Sequence, residues 1–95
     1  MSGVMLVKQK VADVQQWREV FEHPELDAVR RAHGLVVTGT FVDGDDPDTI
    51  IVVMDMDSIQ RAREFAGSSD LASARKRAGA IGSPDGVWYG PVRVG

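Results

Sequence analysis

The sequence has 95 residues, enough for one domain, and we expect residues 1–95 to form a single domain. Its net charge is −3, from 11 Lys and Arg against 14 Asp and Glu, which argues against nucleic-acid binding. The absence of cysteine excludes disulfides, thiol nucleophiles and cysteine-bound metal centres. No apolar run is long enough to cross a membrane, and the start, MSGVMLVKQK, lacks the segment order of a signal peptide. We therefore expect a soluble, cytoplasmic protein.

The first part of the chain predicts a strand followed by an amphipathic helix. Residues 4–11 are rich in β-branched and aliphatic side chains, which is typical of a strand. Asp13 is a natural N-cap for the segment that follows. Val14, Trp17 and Phe21 come next at helical spacing, so they share one face of the predicted helix.

The middle of the chain predicts a helix break and then a hairpin. Pro24 disfavours helical backbone at the residue before it but suits the first turn of a renewed helix, which we expect Gly34 to end. Residues 35–42 and 49–56 predict the second and third strands. The four aspartates of residues 43–48 lack the spacing of a calcium loop, so this stretch predicts a solvated turn.

The last third of the chain predicts a second helical region and a final strand. Asp57 or Ser58 is expected to cap the helical region, which pauses at residues 67–69 and continues to Ala78. Residues 87–94 predict the last strand, and Pro91 makes it an edge or bulged strand. The order βαββαβ is typical of an α+β, ferredoxin-like sandwich with a four-stranded antiparallel sheet.

The third strand predicts a partner for the sheet. Its even-numbered positions from Ile50 to Met56 are apolar, and so are Ile51 and Val53 on the opposite face. Two helical regions cover only one face of a four-stranded sheet, which would leave the other as a large exposed apolar patch. The simplest cover is a second copy of the chain, so we expect a homodimer with the sheets face to face and the helices outside.

Three stretches of the sequence resemble a known family. They are MLVKQKVAD running into Trp17 and Phe21, SSDLASARKRAGAIG, and the closing VWY. Together they are similar to the dimeric α/β-barrel superfamily, in its antibiotic-biosynthesis monooxygenase-like branch of small bacterial proteins, some of them labelled cyclase or monooxygenase. The resemblance spans nearly the whole chain and implies a ferredoxin-like fold that pairs into a dimeric α/β barrel.

The same superfamily includes oxygenases, isomerases, cyclases and haem-degrading enzymes, so the fold does not by itself select a reaction. Its haem-degrading members rely on an Asn, a Trp and a His on the second helix. This sequence has no Asn, and residues 58–79 contain no His, which disfavours haem degradation. Two scattered histidines also make a poor metal site, so we expect neither a metal nor an organic cofactor.

Three side chains are candidates for proton transfer or ligand contact. Histidine changes its charge near neutral pH, and His23, at the predicted helix break, is a candidate general acid or base. For His23 the alternative is an exposed or helix-terminal histidine that hydrogen-bonds a free carbonyl. For His33, a candidate ligand contact, the alternative is contact with the helix dipole. Asp55, near the end of the apolar third strand, is a candidate base or an ion-pair partner.

Aromatic and methionine side chains predict a pocket for a flat molecule between the helices and the sheet. The candidate ligand contacts are Trp17, Phe21, Met54, Trp88 and Tyr89. Adjacent residues of a strand point to opposite faces, so either Trp88 or Tyr89 faces the helices, and the sequence leaves open which one. Core packing is the alternative for all five side chains, and it is favoured for Phe21 and Met54.

Two functions are consistent with these features. The first is a small-molecule enzyme without metal or organic cofactor, which oxygenates, cyclises or isomerises a hydrophobic, aromatic or polyketide-like compound. His23 would then move protons, and the aromatic side chains would hold the substrate. The second is a non-catalytic homodimer that binds a small ligand or a protein partner, for example as a stress-related protein. A purely structural dimer without a pocket is a third interpretation.

Overall fold

The computed structural model of the chain describes residues 3–95. Its strands and helices follow in the order β1 (Gly3–Lys10), α1 (Val14–Phe21), α2 (Pro24–Ala32), β2 (Leu35–Val42), β3 (Thr49–Met56), α3 (Ile59–Ala66), α4 (Ser69–Ala78) and β4 (Gly86–Gly90). The strands form one antiparallel sheet in the order β2-β3-β1-β4. Each predicted helical region is a pair of short helices, and the ferredoxin-like α+β prediction is confirmed. None of the helices in residues 3–95 is long and apolar enough to span a membrane.

The predicted capping residues start and end the helices. The Asp13 carboxylate accepts hydrogen bonds from two backbone N–H groups of the first turn of α1, at 2.8 and 3.1 Å. Ser58, one of the two residues predicted for this role, caps α3. The pause expected at residues 67–69 is present, and Ser68, which was not predicted as a cap, caps α4. Pro24 is the first residue of α2, where its missing N–H costs no hydrogen bond. Gly34 follows α2 with φ +72°, a left-handed backbone that glycine adopts without strain.

The last strand is shorter than the sequence predicts. We expected a strand over residues 87–94, but β4 ends at Gly90. Pro91 has no N–H to donate to a neighbouring strand, so pairing stops in front of it. Residues 91–95 are exposed and lie outside the sheet.

The two faces of the sheet differ in their environment. On β3, Ile50, Val52 and Met54 are buried under the helices, and they alternate with half-buried residues on the side of the sheet that carries no helices. The register with β1 pairs Met54 with Met5 and Val53 with Leu6, so the neighbouring strand continues both faces. We call the side without helices the outer face. The core lies between the other face and the helices, where Phe65 is the largest buried contribution from α3.

The outer face is apolar at its centre and aromatic at both edges. Leu6 and Val53 lie in its middle, half-buried within one chain. Phe41 on the edge strand β2 is 57% exposed, and Trp88 on the opposite edge strand β4 is 55% exposed. The Phe41 ring lies over Gly39, and the Trp88 indole lies over Gly86 so closely that a side chain there would collide with it. The missing side chains of these glycines allow both rings to lie flat on the sheet.

Candidate functional site

A cavity of about 300 Å³ lies between the helices and the covered face of the sheet. Its wall is almost entirely apolar. Alternate residues of the central strands supply one side, and the helices supply the other. The sheet side includes Met5, Val7, Val52 and Met54. The helical side includes Trp17, Phe21, Leu26 and Leu71. A cavity of this volume is at the lower end of the range for small-molecule sites.

Two stacked rings lie in the wall, which also includes the aromatic ring of Phe65. Trp17 and Phe21 are four residues apart on α1, so their side chains meet on one face of the helix. Their ring centroids are 4.4 Å apart, with an interplanar angle of 20°. Trp17 is only 8% exposed. Both residues line the cavity, so its wall is aromatic along this face of α1.

One charged side chain is buried at the cavity wall. Arg30, on α2, is 3% exposed. Its Nη2 donates a hydrogen bond to the Phe21 carbonyl at 2.9 Å and lies 3.6 Å from Asp27 Oδ1. The guanidinium carbon is 4.3 Å from the centroid of the Phe21 ring, a cation–π contact. Burial lowers the pKa of Arg30 and the nearby Asp27 carboxylate opposes that shift, but arginine stays charged in proteins.

Arg30 is not fully satisfied by hydrogen bonds. Within residues 3–95, its buried Nε and Nη1 have no hydrogen-bond partner. Leaving a buried donor unpaired costs about 1–3 kcal/mol, and more for a charged group. Such a group is therefore unusual in a wall that is otherwise apolar.

A second polar group at the wall is held by its neighbours. Gln9 on β1 is 4% exposed, and its amide Nε2 donates to the carbonyls of Lys10 and Ile81 at 2.7 and 3.1 Å. Its Oε1 accepts a hydrogen bond from Arg75 Nη2 at 2.7 Å. Arg75 also donates to the Gly82 carbonyl, so this network ties α4 and the loop after it to the sheet. Among residues 3–95, no three His, Asp or Glu side chains are grouped as metal ligands.

Three of the predicted ligand contacts meet at the cavity. Trp17, Phe21 and Met54 all line it. Tyr89 faces the helices, because it pairs with Met5, but it packs on the core beyond the cavity wall, with Arg63 above its ring at 5.3 Å. Trp88 points to the outer face. The choice that the sequence left open is thus decided by the pairing of β4 with β1.

The two histidines lie at the two ends of α2 and outside the cavity wall. His23 is exposed and is the N-cap of the helix, where its Nδ1 accepts a hydrogen bond from the Glu25 backbone N–H at 3.2 Å. His33 follows the last turn, with Nδ1 2.9 Å from the Val29 carbonyl. Its ring lies 5.6 Å from that of Phe65. Both histidines lie at helix ends, as in the alternative interpretations, but the Nδ1 of His23 accepts a hydrogen bond from an N–H and does not bond a free carbonyl.

Asp55 lies on the outer face of the sheet. It alternates with Met54 on β3, pairs with Val4 and Val36, and is half-buried within one chain. The residues that line the cavity do not include it. The catalytic roles of His23 and Asp55 remain predictions from the sequence.

Two polar residues of the wall, Arg30 and Gln9, were not predicted as site residues from the sequence. Arg30 follows Leu26 by four residues, which puts it on the buried stripe of α2. Gln9 follows Met5 and Val7 at alternate positions, which puts it on the covered face of β1. The spacing of Arg30 and Gln9 therefore indicates that both are buried. Their residue types indicate the opposite, because charged and amide side chains are usually exposed.

Two substitutions of His23 distinguish its role as the N-cap of α2 from a role in proton transfer. His23→Ala removes the side-chain acceptor, and we expect the free energy of unfolding to fall by about 0.5–1 kcal/mol, whereas His23→Asn keeps an acceptor there and should be near wild type. Urea denaturation measures both. The predicted proton transfer requires turnover to be lost in both variants, so full activity of a stable His23→Asn protein would exclude it.

The chain is similar to several solved structures. No family model matches the sequence, and no curated protein matches it. A candidate antibiotic biosynthesis monooxygenase from Bordetella bronchiseptica superposes with a TM-score of 0.74 at 16% identity, over 99% of this chain and 100% of that one. A monooxygenase from the Streptomyces coelicolor gene ActVA-Orf6, in complex with nanaomycin D, has a TM-score of 0.65 at 14% identity, over 99% and 89%.

A third similar structure is protein Atu4242 from Agrobacterium tumefaciens, with a TM-score of 0.64 at 12% identity, over 96% of this chain and 99% of that one. These identities are low, so the likeness concerns the backbone and not the chemistry. It spans nearly the full length of each protein, as the resemblance implied. The chain therefore has the ferredoxin-like α+β fold of the antibiotic biosynthesis monooxygenase-like proteins.

Proposed function

We propose that this protein is a small-molecule enzyme of the antibiotic-biosynthesis monooxygenase-like type. It binds a hydrophobic, planar compound in the cavity and transforms it by oxygenation, cyclisation or isomerisation. The cavity itself is the observation that carries the proposal, since an apolar space of about 300 Å³ under the helices is more than core packing requires. The proposal includes no metal and no organic cofactor.

The wall of the cavity supports the choice of ligand. Trp17 and Phe21 offer the stacked aromatic surface, and Met54 on the sheet offers a flexible apolar contact. The similar Streptomyces coelicolor monooxygenase is in complex with nanaomycin D, so a protein of this fold holds a small organic ligand. A flat aromatic or polyketide-like compound fits these features.

The proposal includes a second copy of the chain on the outer face. Apolar side chains occupy its centre, at Leu6, Ile51 and Val53, and the flat rings of Phe41 and Trp88 extend it to both edges. In water this face would be a contiguous apolar patch, which is typical of an interface. A copy of the same sheet provides the same apolar surface in return, so that the two sheets close into a dimeric barrel.

A non-catalytic ligand-binding dimer is the second candidate. The observation that favours it is the chemistry of the cavity wall, which holds no Asp, Glu or His among its residues. Such a wall can bind a ligand without providing a side chain that exchanges protons near neutral pH. The second candidate shares the pocket and the dimer with the first and differs only in turnover.

A variant that fills the cavity tests both candidates. Leu71→Trp places an indole in the cavity from α4, and the matched control Ala72→Trp adds the same ring on the exposed side of that helix. Each protein is incubated with a hydrophobic metabolite extract of its source cells, followed by mass spectrometry of the extract and of the native protein. We expect wild type and Ala72→Trp to convert one compound and Leu71→Trp to convert none.

The products also identify the reaction. A gain of one oxygen atom with loss of two hydrogen atoms indicates oxygenation by dioxygen, in which the substrate itself supplies the electrons and the second oxygen atom leaves as water. Loss of water indicates a condensing cyclisation, and an unchanged mass with a new retention time indicates isomerisation. A compound that stays bound to wild type without conversion, and is absent from Leu71→Trp, would establish the binding protein instead. Conversion by Leu71→Trp at the wild-type rate would show that the cavity is not the site.

A further inference from the structure

The cavity wall and the chain as a whole carry charge of opposite sign. The chain has a net charge of −3, but the charged residues that line the cavity are Arg30 and Arg75, with no carboxylate among the lining residues. Arg75 Nη2 donates to the Gln9 side chain and the Gly82 carbonyl. Within the described residues, the buried donors of the wall that lack a hydrogen-bond partner belong to Arg30.

The surroundings of Arg30 show which of its hydrogen-bond donors lack an acceptor. Nη2 is used by the Phe21 carbonyl and faces Asp27, whose carboxylate is shared with Arg31 at 2.8 Å. Nε and Nη1 are buried and unpartnered within the described residues. A charged donor in this state is stabilised by an anionic oxygen, which forms stronger hydrogen bonds with a guanidinium than a neutral acceptor does.

We infer that the ligand of the cavity is a planar hydrophobic acid, and that Arg30 binds its carboxylate. The inference rests on the proposed function, because it assumes that the cavity accepts a planar hydrophobic compound. Phe21 links the two parts of the site, since its ring stacks with Trp17 and also contacts the Arg30 guanidinium. The ring system of the ligand lies in the apolar part of the cavity, and its carboxylate accepts hydrogen bonds from Nε or Nη1 of Arg30.

Two probes of nearly the same shape test the inference. 2-Naphthoate carries a carboxylate, and 2-naphthamide replaces it with a neutral amide. Isothermal titration calorimetry at neutral pH compares them on wild type, on Arg30→Met and on Arg31→Met. Arg31 is the matched control, because it is an exposed arginine on the same helix and its loss changes the net charge equally.

We expect wild type and Arg31→Met to bind naphthoate about tenfold or more tightly than naphthamide, and Arg30→Met to bind both equally. Binding of both probes by wild type without a preference would overturn the inference and leave the proposed cavity intact. Binding of neither probe would overturn both. A preference that persists in Arg30→Met would also overturn the inference.

A second variant keeps the test valid if Arg30→Met does not fold. Arg30→Lys retains the positive charge but loses the planar set of donors, so we expect its preference for naphthoate to fall between those of wild type and equal binding. An Arg30→Lys protein that folds and shows an undiminished preference would contradict the role of the guanidinium. Circular dichroism of each variant shows whether it is folded.

Discussion

Replacing Val53 with aspartate is expected to convert the protein from a dimer into a monomer. Val53 lies at the centre of the outer face, between Leu6 on β1 and Gly39 on β2. In the proposed dimer this position is covered by the partner sheet, so each copy would bury one unpaired carboxylate. The cost of burying a charge without a partner is several kcal/mol, which exceeds what the apolar contact around it returns. Sedimentation velocity at micromolar concentration measures the change.

The control for this variant is Ala72→Asp, which adds the same charge on the exposed side of α4. We expect it to remain a dimer. The covered core lies on the other side of the sheet from Val53, so the Val53→Asp monomer should retain its helical circular dichroism. A wild-type protein that sediments as a monomer, or a Val53→Asp protein that stays dimeric, would reject the face-to-face arrangement.

Replacing Arg30 with methionine is expected to raise the free energy of unfolding by about 1 kcal/mol, although it removes a hydrogen bond and an ion pair. Exchange of a buried ion pair for apolar side chains of similar volume is often neutral or stabilising by about 1–4 kcal/mol. Here only the arginine is exchanged, but Asp27 is 38% exposed and keeps Arg31, so no buried unpaired charge remains. We expect the low end of that range, because the Phe21 carbonyl loses its donor and Asp27 loses one of two cations. Methionine is flexible enough to occupy the space of the arginine stem.

The comparison that isolates the buried charge is again Arg31→Met. Its side chain is 61% exposed, so its loss should change stability by no more than about 0.5 kcal/mol. Urea denaturation of the three proteins without ligand gives the values. If Arg30→Met instead loses 2 kcal/mol or more, as an order of magnitude for a broken buried network, Arg30 holds α1 to α2 and its burial is structural. A gain in stability together with a loss of acid binding is the trade-off expected of a functional site.

The strands and helices of this protein follow closely from local sequence. The apolar runs at residues 35–42 and 49–56 form strands with those bounds, because each is bordered by turn residues that cannot continue it. Asp13 and Ser58 start helices because their side chains satisfy N–H groups that the helix itself leaves free. The order βαββαβ is compatible with only a few arrangements of the strands in a sheet. The ferredoxin-like arrangement predicted from it was confirmed.

The site depended on contacts that no local pattern specifies. Trp88 and Tyr89 are adjacent in sequence, and only the register of β4 against Leu6 and Met5 decides that Tyr89 faces the helices. Arg30 has the spacing of a buried residue and the charge of an exposed one. Its burial depends on the packing of α1, a separate helix, which places the Phe21 ring and carbonyl against the guanidinium. Local sequence was enough to predict most of the helix and strand ends, with β4 as an exception, because capping and side-chain periodicity act over a few residues. The set of side chains that share the cavity depends instead on how separate elements pack against one another, and a pattern within one element does not contain that information.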